Sequence, residues 1–130
     1  MSNGELMQGT EVHKERHVIL LVDDEPLVRI GTALMLEELD HRVIQAATAA
    51  EGLQLLAEND DIDVIITDFR MPDMDGVEMI EQARLKRSAI PAILMTGYAP
   101  DDERFSTLDI PRISKPFGIG ELESALAQSA

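Results

Sequence analysis

The chain has 130 residues, enough for one domain rather than two independent cores. Its 45% hydrophobic and 28% charged residues match ordinary globular proteins and exclude disordered, collagenous and fibrous classes. A formal charge of -14, from 25 acids against 11 bases, argues against nucleic acid or anionic lipid as a partner, and the lack of cysteine removes disulfides, thiolate catalysis and Cys-based metal sites.

A cytoplasmic location is the expectation, since nothing resembles a secretion signal and the longest purely aliphatic run, residues 18–22, is far below the ~18 residues that span a bilayer. Residues 1–16 are polar and aperiodic and read as a leader or cloning remnant outside the fold, leaving 17–130 as the domain. Residues 18–22 (VILLV), 64–67 (VIIT) and 92–95 (AILM) are continuously apolar, the pattern of parallel strands covered on both faces. Val43-Ile44 and residues 110–113 are weaker, and Pro111 cannot donate to a ladder, which places both at the rims of the sheet.

The intervening stretches carry helical periods. Residues 25–39 open with Pro26 in the first turn and present two stripes. Val28, Met35, Leu36 and Leu39 face a core through Gly31, while Leu27, Ile30 and Leu34 form a second stripe suited to docking another helix. Thr48-Ala-Ala-Glu51 is a capping-box pattern ahead of a second helix, and residues 76–87 end in Arg84, Lys86 and Arg87 at the negative end of a third. A fourth helix within 100–108 has the weakest period, and a fifth covers 118–128. The rhythm predicts βαβ units, an α/β fold with a parallel sheet whose central strands are residues 18–22, 64–67 and 92–95.

In such a sheet, ligands bind beyond the carboxyl ends of the strands. Asp23, Asp24 and Glu25 follow the first strand, Asp68 the third, Thr96 the fourth and Lys115 the fifth. Each acid alone could simply cap a helix or turn. Brought together, Asp23, Asp24 and Asp68 would repel one another, and a hard cation such as Mg²⁺ relieves that repulsion while leaving positions for phosphate oxygens. Other phosphate and metal sites fit poorly. A P-loop or flavin site needs a glycine- or hydroxyl-rich turn where Asp-Asp-Glu stands. A haloacid-dehalogenase-type phosphatase wants a second Asp two residues after its nucleophile, where Glu25 and Arg70 stand. A calcium loop starting at Asp68 meets Arg70 and Met79 where oxygen ligands are required. Gly118 and Gly120 lack the third glycine of a dinucleotide site. His13, His17 and His41 share no ligand spacing, Asp73 and Asp75 read as shaping the turn into the third helix, and Met71, Met74 and Met79 as packing.

Val-Asp-Asp-Glu at 22–25, Thr-Asp-Phe-Arg-Met-Pro-Asp-Met-Asp-Gly at 67–76, Met-Thr-Gly-Tyr-Ala at 95–99 and Lys-Pro-Phe at 115–117 together resemble the receiver domains of bacterial two-component response regulators. The resemblance covers about residues 17–130, and its Thr-Gly-Tyr segment is similar to that of some alphaproteobacterial single-domain receivers. It implies a doubly wound (βα)₅ fold, a flavodoxin-like parallel five-stranded sheet in the order 2-1-3-4-5. It implies that Asp68 accepts a phosphoryl group and that Asp23, Asp24, Asp68 and the Arg70 backbone carbonyl hold Mg²⁺. It implies that Thr96 and Lys115 contact the phosphoryl group and that the Lys115–Pro116 bond is cis. The implied phosphodonor is a histidine kinase or histidine phosphotransfer protein docked on Leu27, Ile30 and Leu34, and the output passes to an unidentified downstream protein.

The expected chemistry is self-phosphorylation and dephosphorylation by a stand-alone switch or phosphate carrier. The alternatives are a Mg²⁺-dependent phosphatase acting on external phosphoesters and a receiver excised from a hybrid kinase. One departure stands out. The family's switch aromatic lies three residues before the lysine, and Arg112 occupies that position. Tyr98, two residues after Thr96, is the candidate replacement.

Overall fold

The computed structural model describes residues 16–97, 102–107 and 109–129. Most of the leader, His13 and Tyr98 lie outside these residues. Among the described residues five strands and five helices alternate: β1 Val18–Val22, α1 Pro26–Glu38, β2 Arg42–Ala46, α2 Ala49–Glu58, β3 Val64–Asp68, α3 Gly76–Lys86, β4 Ala92–Thr96, α4 Arg104–Thr107, β5 Arg112–Ser114 and α5 Ile119–Ser129. All strand pairs are parallel and the sheet order is β2-β1-β3-β4-β5, as the sequence predicts. The order reverses direction between β1 and β3, so a crevice opens at the carboxyl ends of those two strands.

The continuous apolar runs are explained by burial on both faces. Ile19, Leu21, Ile66, Ile93 and Met95 pack under α1 and α5 with Ala33, Leu36, Leu122 and Leu126. Leu20, Val22, Ile65 and Leu94 pack under α2 and α3 with Leu56, Val77, Met79 and Ile80. The period-two alternation of strand side chains thus sorts the core into two layers separated by the sheet. The rim strands are partly exposed because only one neighbour covers each.

Local chemistry sets the helix ends. Thr48 Oγ1 accepts from Glu51 N at 3.0 Å and Glu51 Oε1 accepts from Ala47 N at 2.8 Å, closing the start of α2. Asp75 and Glu78 form a reciprocal capping box at α3, so Asp75 shapes the turn as expected, while Asp73 takes a left-handed φ of 73° within it. Arg87, read as a cation for its own helix, instead reaches to α2 and donates to the carbonyls of Leu56, Asn59 and Ile62. Leu56 lies in the last turn of α2, where carbonyls lack partners within the helix, and a five-donor guanidinium serves it and the two carbonyls beyond at once.

Two local expectations are corrected. Val28 is 38% exposed rather than core, and the buried face of α1 is Thr32, Ala33 and Leu36 with Met35 and Leu39 partly covered. Val28 instead lines a groove with Pro116 and Phe117. The fourth helix, Arg104–Thr107, lies within the short segment expected for it. The fifth strand begins at Arg112, because Pro111 offers only a carbonyl, which accepts from Leu94 N at 2.9 Å. No helix among the described residues is long and apolar enough to cross a membrane.

Candidate functional site

Asp23 follows β1 immediately and its backbone N donates to Ala46 O at 3.1 Å, extending the sheet by one residue. Its side chain is fully buried: Oδ1 accepts from Glu25 N at 2.9 Å and Oδ2 from Lys115 Nζ at 3.0 Å. Arg29, one turn into α1, donates to Asp23 O at 2.8 Å and fixes the backbone there. Asp24 points to solvent, whereas Asp68, the last residue of β3, is 5% exposed. One carboxylate oxygen from each of Asp23, Asp24 and Asp68 lies within 4.8 Å of the others. Lys115 extends over this group from the end of β5, 2.6 Å from Asp68 Oδ1 and 3.6 Å from Glu25 Oε1. Its backbone is held by a bond from Lys115 N to Thr96 O at 2.8 Å, and the Lys115–Pro116 peptide is cis.

The electrostatics follow from burial and crowding. Burial, then the hydrogen bond with Asp23, pushes the Asp68 carboxyl up to about 7, against the opposing pull of Lys115. Burial by itself would depress the Lys115 ammonium, but hydrogen bonds to Asp68 and Asp23 outweigh it and hold the group above its ordinary value. The lysine therefore stays charged and only partly neutralises three acids. A donor set of three carboxylates, two of them buried and crowded to this degree, fits a hard divalent cation of the Mg²⁺ type.

Thr96 closes β4 beside Asp68, in the register that pairs Asp68 with Met95. Its hydroxyl is turned toward β5 and donates to Ile113 O at 3.4 Å, so it stands next to the carboxylates without being engaged with them. Arg70 follows the site by two residues, its side chain exposed and its guanidinium 5.9 Å from the Phe69 ring. Arg112 stacks its guanidinium 4.6 Å from the Phe105 ring, so an aromatic is present on this side of the molecule but is carried by α4. Leu27, Ile30 and Leu34 are 86%, 46% and 60% exposed, forming the second stripe read from the sequence. His17 and His41 do meet, with ring centroids 5.2 Å apart, but at the opposite, amino-terminal end of the sheet.

Some residues that shape the site are not singled out by the sequence: Gly76 and Phe69 stand in the 67–76 motif without a role of their own, and Arg104 and Phe105 stand outside every motif. Gly76 N donates to Phe69 O at 2.8 Å, and a Cβ at this glycine would lie 2.1 Å from the Asp68 carbonyl oxygen. Only a residue without a side chain lets α3 start this close to the end of β3. The Asp-Gly pair ahead of a helical period was the one available signal, and it marks the helix start rather than the close approach. Phe69 and Phe105 meet edge to face at 5.1 Å, and Arg104 lies against the same Phe69 ring at 5.7 Å.

The Response regulator receiver domain family matches residues 19–127. The chain is 38% identical over 111 residues to the KDP operon transcriptional regulatory protein KdpE of Escherichia coli, covering 83% of this chain and 48% of that protein. It is 30% identical over 119 residues to the sensor kinase CckA of Brucella abortus, covering 85% of this chain and 12% of that one. The chain thus spans about half or less of the length of these curated relatives. A crystal structure of a response regulator receiver domain protein from Clostridium thermocellum superposes with a TM-score of 0.79 at 26% identity, covering 87% of this chain and 93% of that one. By the family match, the shared fold and the acidic group at its strand ends, the chain belongs to the response regulator receiver domains of two-component signalling.

Proposed function

We propose that this receiver accepts a phosphoryl group on Asp68 from a phosphohistidine of a kinase or histidine phosphotransfer protein and signals by protein contact from the cytoplasm. The observation that carries the reading is the Asp68 carboxylate, buried at a strand end, 2.6 Å from Lys115 Nζ and grouped with Asp23 and Asp24. An Asp68 oxygen attacks phosphorus as the P–N bond to the donor imidazole breaks, forming an acyl phosphate. Lys115 balances charge on the phosphoryl oxygens. Thr96 turns its hydroxyl from Ile113 O toward the phosphoryl group. Water later attacks phosphorus, the P–O bond to Asp68 breaks, and inorganic phosphate leaves. Mg²⁺, held by Asp23, Asp24, Asp68 and the Arg70 carbonyl, would supply further positive charge against the transferring group.

The donor docks on Leu27, Ile30 and Leu34 of α1. This reading is supported by their exposure and by the apolar groove alongside, about 490 Å³, which runs from Val28 and Met35 to Lys115 and Phe117. Tyr98 takes the part of the switch aromatic whose usual position is filled by Arg112.

Intact-mass measurement after treatment with acetyl phosphate and Mg²⁺ tests the acceptor. Wild type should gain one phosphoryl group and Asp68→Ala none; a gain that survives in the variant overturns Asp68. Steady release of product from external phosphoesters would favour a phosphatase instead.

A further inference from the structure

Arg104 lies outside every motif read from the sequence, yet it ties together the segments that follow two strands of the site. Its Nη2 donates to Asp75 Oδ2 at 2.8 Å and its Nη1 to Asp75 Oδ1 at 3.4 Å. Its Nε and Nη2 also donate to the Asp102 carboxylate at 3.1 and 2.8 Å, and its guanidinium carbon is 5.7 Å from the centre of the Phe69 ring. Asp75 is the N-cap of α3, accepting from Glu78 N at 2.9 Å. Phe69 directly follows Asp68, and its carbonyl accepts from Gly76 N. The loop 69–75, which contains Arg70, is therefore gripped at both ends by one guanidinium rooted in α4, beyond Thr96.

A merely exposed ion pair would contribute little. This one differs in geometry. The fork bonds two carboxylates from different segments and lies against an aromatic ring, and Arg104 and Asp75 are 37% and 24% exposed. We propose that Arg104 is a positioning residue that holds the loop 69–75 in the shape in which the Asp68 carboxylate and the Arg70 carbonyl face one cation. The inference rests on the cation site described under the proposed function and adds a residue that touches neither cation nor phosphoryl group.

Charge and position make opposite predictions for Arg104→Ala. Arg104→Ala removes a positive charge and, acting through space, would tighten Mg²⁺ binding. Asp75→Asn removes a negative charge and would loosen it. Asn caps a helix as well as Asp does, so Asp75→Asn keeps the start of α3 while breaking the ion pair. If Arg104 positions the loop, both variants bind Mg²⁺ more weakly, by about threefold to tenfold, less than the loss typical when a residue touching a metal ligand is removed. The double variant should be no weaker than the weaker single one, because one link is broken in all three.

The measurement is calorimetric titration of the unphosphorylated full chain with Mg²⁺, with thermal midpoints recorded to show that each variant is folded. Unchanged or tighter binding by Arg104→Ala overturns the inference, and so do losses that add in the double variant. Wild type failing to bind Mg²⁺ saturably would overturn the cation site as well; normal wild-type binding with an unaffected Arg104→Ala overturns the positioning role alone.

Discussion

Asp68 illustrates how a single buried carboxyl can couple chemistry to stability. Burial, then Asp23, raises it from an ordinary value of 3.8 to about 7, which means the folded chain holds this proton more tightly than the unfolded chain does. Its contribution to stability is therefore complete below the unfolded value and is lost as pH rises toward the folded one. In metal-free buffer Asp68→Asn should unfold several degrees higher than wild type at pH 8, with the difference shrinking through neutrality and vanishing near pH 4. A temperature offset that stays constant across that range would contradict the assignment. Gly76 sets a different limit, because a methyl group there meets the Asp68 carbonyl oxygen at 2.1 Å and Leu94 Cδ1 at 2.8 Å. Relief requires shifting the start of α3 against β3, so Gly76→Ala should cost about 2 kcal/mol or more in urea denaturation. A loss under about 0.5 kcal/mol would show that the helix moves freely.

Among the helices, α1 combines two demands. Gly31 sits at mid-helix with open space around the position of a Cβ, so Gly31→Ala should stabilise the fold by about 0.5–1 kcal/mol, measured by denaturant midpoint. Its outer stripe is tested separately. Leu34→Glu should slow phosphoryl transfer from a histidine kinase about tenfold or more while leaving phosphorylation by acetyl phosphate near wild type, an expectation set by an exposed apolar anchor. Equal loss with both donors would remove α1 from the docking surface.

The elements also differ in how openly the chain declares them. The three central strands are legible because two-sided burial demands unbroken apolar runs, and Thr48 and Asp75 announce their helices through side chains that cap within four residues. The carboxylates and Lys115 are legible because each stands at or just past the carboxyl end of a strand. In α4 the determinants are tertiary: Arg104 bonds to Asp75, 29 residues away, and Phe105 packs on Phe69. Nothing local to residues 104–107 encodes those partners, and the same holds for Val28, whose exposure depends on the groove it lines with Pro116 and Phe117.

For the molecule as a whole, the charge of -14 opposes compaction, and three of its acids converge on one crevice. Added NaCl should raise the melting temperature modestly by screening, whereas millimolar Mg²⁺ at matched ionic strength should raise it further in wild type. Asp24→Asn should keep the salt effect and lose most of the Mg²⁺ increment; retention of the full increment would place the cation elsewhere. The sheet divides the interior into two layers with different duties. The α1 and α5 layer underlies the exposed Leu27, Ile30 and Leu34, whereas the α2 and α3 layer packs against Phe69, Met71, Met74 and Phe105 around the loop after Asp68. Side chains in one layer do not touch those of the other across a filled sheet. Duplicated copies of such a gene can therefore exchange the outer stripe of α1 without repacking the loop after Asp68, whereas changes in the groove that Lys115 and Phe117 share with α1 reach the acidic group itself.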